Sequence, residues 1–479
     1  TRFPATRCTL AKMLRVLVLV YLVFEGTTVN TTPIGDSING FALDLYNEIC
    51  GSLAGSDNVF LSPFSISTAL AMTYLGTAGN TATEMATVLK YPPNVHVLFK
   101  ALLTTINAPN DNYTLNAANN LFPRTGFAIL SQYVTDVMNF YFATIKELDF
   151  AGQPEPSRQY INEWVSNITM EKIPELLQVG DITPLTVLVL VNAIYFKGEW
   201  QNPFNPDLTA ISAFNVTPTQ QISVAMMYNV SMYRYFEDTT LDAKILELPY
   251  TGEEVSMIII LPNQQDGLAD LEANLTLSKL NAAINNLYAP YTANVVNVWL
   301  PKFKIKFRSE LGEHLQDLGM VDAFNAGADF SPLCGLCNVR ISKVIHEAFV
   351  EVNEEGTEAA AATAVIILKG VPRPKIFRAN HPFLFLIRHK KSGSILFMGR
   401  ITSPNAEEEE EESCLTKKPC PRRKGKLHKK CCGCPYMFKD PVTKKITFPM
   451  IVLKKNRGKD VCREACLNKK CLKMFTKRG

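Results

Sequence analysis

The run Glu354-Glu-Gly-Thr-Glu-Ala-Ala-Ala-Ala-Thr-Ala-Val-Ile-Ile-Leu368 decides how this chain is read. Four consecutive alanines favour a helix. Gly356 breaks the start of that helix, and the β-branched Thr363, Val365, Ile366 and Ile367 close it. The segment is therefore ambivalent between helix, extended loop and strand. In a strand, Thr357, Ala359, Ala361, Thr363 and Val365 share one face, all of them small or apolar. A face this slim and uncharged suits a segment that slips between two existing strands. Lys369-Gly-Val-Pro-Arg-Pro-Lys375 follows as an exposed loop.

On either side, helical and strand-like patterns alternate. Residues 38–50 and 157–169 carry apolar positions at roughly helical spacing, and 65–75 is a small-residue apolar helix with Gly76 as its C-cap. Residues 309–318 read as a further helix. Residues 186–196, 244–248, 255–261 and 295–300 read as strands. Long strands mixed with helices over most of 479 residues predict one α+β domain built on a large central sheet, and no internal repeat is visible. A composition of 47% hydrophobic and 20% charged residues excludes a disordered or collagen-like chain.

Four other stretches join the 354–362 run. They are Asn58-Val-Phe-Leu-Ser-Pro-Phe-Ser65, Leu190-Val-Asn-Ala-Ile-Tyr-Phe-Lys-Gly-Glu-Trp200, Ile341-Ser-Lys-Val-Ile-His346 and Asn380-His-Pro-Phe-Leu-Phe385. Together they resemble the serpins, over residues 36–405. The resemblance implies a metastable fold with a large central β-sheet, surrounding helices and an exposed reactive-centre loop. A serine protease cuts that loop and is trapped as an acyl-enzyme when the loop inserts as a new strand. It makes the chain an inhibitor and not an enzyme; the alternative is a non-inhibitory binding or carrier scaffold. It assigns Glu354, Glu355, Gly356, Thr357, Glu358, Ala359, Ala360, Ala361 and Ala362 to the insertion hinge. Ser62, Ser65, Asn192 and His346 fall on the shutter where the sheet opens, and Trp200 on the breach where insertion begins. Family spacing from the hinge puts the scissile bond at Gly370, and spacing back from Asn380 puts it at Val371. Lys369, adjacent, suits the acid-bottomed pocket of a trypsin-like protease, so all three stay candidates, Gly370 and Val371 implying elastase-like targets. Arg373 is disfavoured because Pro374 follows it.

Motifs for hydrolysis, nucleotide binding or metal binding are absent: there is no G-x-S-x-G, Walker A, H-E-x-x-H or G-x-G-x-x-G. Six histidines leave little scope for a zinc site or a triad, and no cofactor or metal is expected. Cys334-Gly-Leu-Cys337 lies in a loop without a following helix pattern, so a local disulfide or two free thiols is expected over a redox site.

The two ends differ from the body. From Met13, a basic start precedes an uncharged run at 16–24, too short to span a bilayer; 13–29 is read as a secretory signal and 1–12 as upstream sequence. Six sequons, at Asn30, Asn112, Asn167, Asn215, Asn229 and Asn274, fit a secreted, extracellular glycoprotein. Residues 406–412 form an acidic linker. Residues 413–479 hold 21 of the 49 Lys and Arg but only three of the 45 acids, a net +18, which leaves −14 on residues 1–412. Eight of the twelve cysteines also lie in this tail. It reads as a disulfide knot, as a binder of heparin-like glycan or anionic surfaces, or as an artefact fused to the body. No nucleic acid, no membrane span and a monomeric body are expected.

Overall fold

In the computed structural model of the chain, residues 31–108, 110, 112–357 and 374–404 are described, together with 454–456 and 459–461. Helix α1 (Pro33–Ser52) starts where the Thr32 hydroxyl accepts from the Gly35 amide and Pro33 fills the first turn. Strand β1 (Val59–Leu61) leads into α2 (Pro63–Tyr74), capped in the same way by Ser62. Helices α3 (Gly79–Val88) and α4 (Val95–Ile106) precede strand β2 (Tyr113–Pro123). Helices α5 (Ser131–Tyr141) and α6 (Pro154–Ile168) then separate β2 from the long strand β3 (Leu188–Glu199).

Four strands follow: β4 (Ala210–Thr217), β5 (Gln220–Asp238), β6 (Ala243–Pro249) and β7 (Val255–Pro262). Helices α7 (Leu268–Asn274) and α8 (Leu277–Leu287) come before β8 (Ala293–Pro301) and β9 (Phe303–Glu310). Short helices α9 (Gly312–Asp317) and α10 (Ser331–Cys334) lead to β10 (Ile345–Val352). The body closes with β11 (Gly356–Thr357), β12 (Lys375–Arg378), β13 (Phe383–His389) and β14 (Ile395–Ile401).

The large sheet that the sequence predicts is present, and a second sheet lies beside it. A nine-stranded sheet runs β1-β14-β13-β7-β6-β5-β8-β12, with β4 beside β5. The second has five strands, with β3 at its centre. One edge of β3 pairs antiparallel with β2 along its whole length. The other edge is shared: β10 pairs with Val191–Tyr195, and β11 pairs with Gly198 and Glu199.

Alternation along β3 sorts its side chains between two cores. Ile194 and Phe196 pack with Tyr250 and with Ile259 and Phe385 of the nine-stranded sheet, while Val191, Ala193 and Tyr195 pack with Ile161 and Val165 of α6. A third cluster sets Phe41 and Leu45 of α1 against Ile258, Leu384 and Leu386 on the far face of the nine-stranded sheet.

All four predicted strands are present, three with slightly longer bounds and the one predicted at 186–196 shifted to Leu188–Glu199. The predicted helix at 309–318 is not formed as one piece. Ser309 and Glu310 belong to β9, opposite His346 and Ile345 of β10, and the helical spacing holds only from Gly312. Pairing with β10 outweighs local preference there. Cys334 and Cys337 are joined as a disulfide, and Cys50 is a half-buried free thiol that burial pushes up to about 11. Among the described residues, no helix is long and apolar enough to cross a membrane and no His/Cys/Asp/Glu group is arranged for a metal. By its contacts the chain divides into residues 1–404 and 405–479. In the second unit the described residues are a hairpin of β15 (Lys454–Asn456) and β16 (Lys459–Val461).

Candidate functional site

Two clusters flank the shared edge of β3. The lower one fastens β3 to β10. His346 and Asn192 lie directly opposite in the parallel register, with His346 Nδ1 2.5 Å from Asn192 Oδ1. The other ring nitrogen, Nε2, accepts from the Ser62 amide at 3.1 Å, which assigns the proton to Nδ1 and makes it the donor to Asn192. The Asn192 amide donates to Ser65 Oγ at 2.7 Å and to Asn119 Oδ1 of β2 at 2.8 Å. Ser62 Oγ donates to the Leu396 carbonyl at 2.6 Å and accepts from the Ser65 amide. One side-chain network thus ties α2, β2, β3, β10 and β14 together. Burial lowers His346 to about 3, so the ring is neutral and the clasp is uncharged.

The upper cluster holds the beginning of the 354–368 segment. The Glu354 carbonyl accepts from the Phe204 amide and the Glu355 carbonyl from the Trp200 amide, at 2.8 and 2.9 Å. Trp200 Nε1 donates to the Asn353 carbonyl at 3.1 Å, and the Trp200 ring stacks on Tyr250 at 4.6 Å. Glu354 pairs with Lys302 at 2.9 Å and accepts from the Thr209 hydroxyl at 2.8 Å. Burial pushes this carboxyl up, but its hydrogen bonds and Lys302 outweigh burial and hold it below the usual range. Thr357 is buried, its hydroxyl 3.1 Å from that of Tyr250. Gly356 has φ +147°, and a Cβ there would lie 2.2 Å from the Gly198 carbonyl oxygen. Only glycine permits that approach.

Ser62, Ser65, Asn192 and His346 therefore converge in one network, and Trp200 meets Glu354, Glu355 and Thr357 in another. Glu358, Ala359–Ala362, Lys369, Gly370 and Val371 lie outside the described residues. Asn119, Tyr250, Lys302 and Thr209 are participants that sequence reasoning missed. Asn119 left a weak signal in the Asn119-Asn120 pair, in a strand that also carries Thr114 and Asn116. Tyr250 and Lys302 left none, since their partners are far away in sequence. Of the sequons, Asn167 is exposed, and Asn112 and Asn274 are half-buried. Asn215 is buried with its amide turned to the Asn380 carbonyl, and the Asn229 amide donates to the Asn202 and Pro203 carbonyls. Asn30 lies outside the described residues.

Comparison with known proteins agrees with this geometry. The family model described as Serpin (serine protease inhibitor) matches residues 36–404. The chain is 43% identical over 376 residues to the leukocyte elastase inhibitor of Equus caballus, covering 76% of this chain and 97% of that protein. Among solved structures it is similar to Serpin48, described as a highly specific serpin of the insect Tenebrio molitor. That likeness has 34% identity and TM-score 0.68, covering 77% of this chain and 98% of the other. It is also similar to human thyroxine-binding globulin complexed with its hormone. There the identity is 29% and the TM-score 0.69, over 78% of this chain and all of the other.

Two outcomes follow from the two clusters. Gly356→Ala should unpair β11 from β3, because the added methyl meets the backbone of Gly198, Glu199 and Trp200. Amide exchange at Gly198–Trp200 should accelerate by about ten-fold or more, equivalent to ~1.4 kcal/mol; unchanged protection would mean that the close approach is not real. The second concerns acid. Burial lowers His346 to about 3 and His96 and His389 to about 4, whereas the unfolded chain takes up those protons near pH 6.5. Their contribution to stability is complete above about pH 6.5 and is lost as pH falls toward 4 and then 3. The thermal midpoint should decline from pH 7 to pH 5, and the His346 ring should show no NMR titration above pH 4. A ring that titrates near 6.5 would contradict the buried neutral clasp.

Proposed function

This chain belongs to the serpin family, and we propose that it is an inhibitory member that irreversibly traps an extracellular serine protease as a suicide substrate. The observation that carries this reading is the pairing of Gly356 with Glu199 and Thr357 with Gly198. We extend this register down β3 without a shift, as insertion would require. It would set Ala359 opposite Phe196, Ala361 opposite Ile194, Thr363 opposite Asn192 and Ile367 opposite Leu188. Those positions of β3 face the core between the sheets, where Ile194 and Phe196 are already packed. Only small or apolar side chains fit there, and the sequence supplies them.

In the proposed mechanism the protease serine oxygen bonds to the carbonyl carbon of the scissile residue. The following peptide bond breaks, and its nitrogen leaves as a protonated amine. Lys369 is the preferred acyl position, with Gly370 and Val371 as alternatives. The freed segment then zips down β3, β10 moves away, and the His346–Asn192 bond gives way as Thr363 arrives. A strand of about twelve residues covers ~40 Å, enough to carry the tethered protease to the other end of the sheet. The new ladder bonds contribute on the order of 10 kcal/mol in total, which makes the step irreversible.

Further parts of the proposal rest on sequence. The apolar run at 16–24 and the sequons support secretion, and the charge of residues 413–479 supports a heparin-like glycan as a second partner of a monomeric inhibitor. A second reading, a non-inhibitory carrier, draws on the likeness to thyroxine-binding globulin. A bulky or charged residue at 357, 359 or 361 would have favoured it, and none is present.

The direct experiment is incubation with trypsin-like and elastase-like proteases followed by denaturing electrophoresis. A covalent complex is expected, and cleavage without complex would favour the carrier. Thr357→Arg should turn the inhibitor into a substrate, because a buried guanidinium beside Tyr250 slows insertion until deacylation wins. An unchanged stoichiometry of trapping would sink the insertion mechanism. The full chain should bind heparin resin at low salt and elute as salt rises, whereas residues 1–412, at −14, should flow through and still trap protease. Equal retention of both would move the glycan site onto the body.

A further inference from the structure

Every Asn-X-Ser/Thr sequon offers the same chemistry to a glycosyl transferase, so the fold has to decide among them. A sugar on the amide nitrogen replaces one of its two hydrogens and adds a bulky polar group that must stand in solvent. A sequon that suits the folded chain therefore has its Asn exposed and its amide free of the protein's own carbonyls. Five of the six sequons lie among the described residues, and they divide on these two criteria.

Three of the five have the amide taken. Asn229 Nδ2 is 3.0 Å from the Asn202 carbonyl oxygen, 2.9 Å from that of Pro203 and 3.1 Å from the Tyr233 hydroxyl. Acceptors crowd that nitrogen, and a sugar would have to displace them. Asn215 is buried; its Nδ2 donates to the Asn380 carbonyl at 3.2 Å, and its Oδ1 accepts from Gln221 at 2.6 Å. Asn274 is half-buried, with Nδ2 donating to the Thr240 carbonyl at 2.9 Å and Oδ1 accepting from Lys279. Asn112 is obstructed differently. It is half-buried, and its amide packs against Gly252 in the space that a side chain there would fill.

Asn167 differs from all four. It sits in the last turn of α6, whose buried stripe is Ser157, Arg158, Ile161, Asn162 and Val165. Glu163, one turn earlier, is exposed as well, so the two share the outer face of the helix. Asn167 is exposed, and no hydrogen bond among the described residues holds its amide. The hydroxyl of the same sequon points the other way: Thr169 is buried and donates to the Val165 carbonyl at 2.8 Å. A transferase reads that hydroxyl on the extended chain, before α6 forms. Once the helix forms, Thr169 anchors its end while Asn167 stands outward.

We propose that Asn167, alone among the five described sequons, carries an N-linked glycan in the folded protein. This rests on the secretion reading above, because the sugar donor belongs to the secretory compartment. In the step, the Asn167 amide nitrogen bonds to the anomeric carbon of an oligosaccharide carried on a lipid diphosphate. The bond from that carbon to the diphosphate oxygen breaks, the lipid diphosphate leaves with the electron pair, and the nitrogen gives up one proton. A sugar placed on any of the other four blocks native packing, so chains modified there are missing from the folded, secreted protein.

The test expresses the chain in a eukaryotic secretory host twice, once with its own N-terminus and once with the leader of an abundant secreted protein in place of residues 1–30. Protein from the medium is treated with peptide N-glycosidase in heavy-oxygen water and mapped by mass spectrometry, so that each Asn that carried a sugar reads as a labelled Asp. The label is expected at Asn167 and at none of Asn112, Asn215, Asn229 and Asn274. Asn167→Gln should lose it, and Ser231→Ala, which destroys the Asn229 sequon but spares its amide, should leave the map unchanged. Label at any of the other four, or secreted protein unlabelled at Asn167, would overturn the assignment. Secretion of the leader-fused chain alone, labelled at Asn167, would overturn the secretion reading and leave the site standing.

Discussion

The edge of β3 that faces β10 is divided. Its lower part, Val191–Tyr195, is closed by β10, and its top, Gly198–Glu199, is taken by two residues of the hinge. Neither strand pairs with Phe196 or Lys197 on that edge. If the segment after Thr357, whose alternation suits this edge, inserts as proposed, the described arrangement is not the lowest available to this sequence. Packing around the division must therefore hold two outcomes apart. Every other feature described above can be referred to that requirement.

The clasp between β3 and β10 is polar, although its surroundings are core. Ser62, Ser65, Asn119, Asn192 and His346 satisfy one another, so burying them is tolerated, and breaking them is costly unless a replacement arrives. Thr363 brings a hydroxyl to the level of Asn192 in the projected register. A purely apolar seam at this position would hold the strands by area alone and would offer no defined exchange of partners. At the top, Glu354 and Glu355 are held by backbone contacts to Phe204 and Trp200 and by the Glu354–Lys302 pair, and Gly356 and Thr357 by pairing with Glu199 and Gly198. The hinge thus starts in register, and an insertion of the kind proposed would need no search for alignment.

Much of this was legible in the sequence, for identifiable reasons. The alternation of small residues from Thr357 to Val365 carries its meaning locally, as does the glycine that meets the Gly198 carbonyl. Ser62, Ser65, Asn192 and His346 were found through the family resemblance, and they meet in one network. Tyr250, Lys302 and Asn119 were not found, because their roles depend on partners 107, 52 and 73 residues away in sequence. The same blindness hid the second sheet and the transfer of Ser309 and Glu310 from helix to strand, since edge pairing leaves no periodic trace. Charge arithmetic located the boundary between an acidic body and a basic tail; it gave no account of what the tail's cysteines do.

Thermal stability before and after cleavage tests the central claim most directly. Intact protein and protein nicked within residues 364–375 would be melted side by side, far from acid, with full nicking verified by mass spectrometry. The divided edge predicts that the nicked form melts well above the intact form, because the inserted segment then pairs with both β3 and β10 along their length. Equal midpoints, or a lower one after cleavage, would mean that the sheet is already at its most stable arrangement and that no insertion drives the protein's activity.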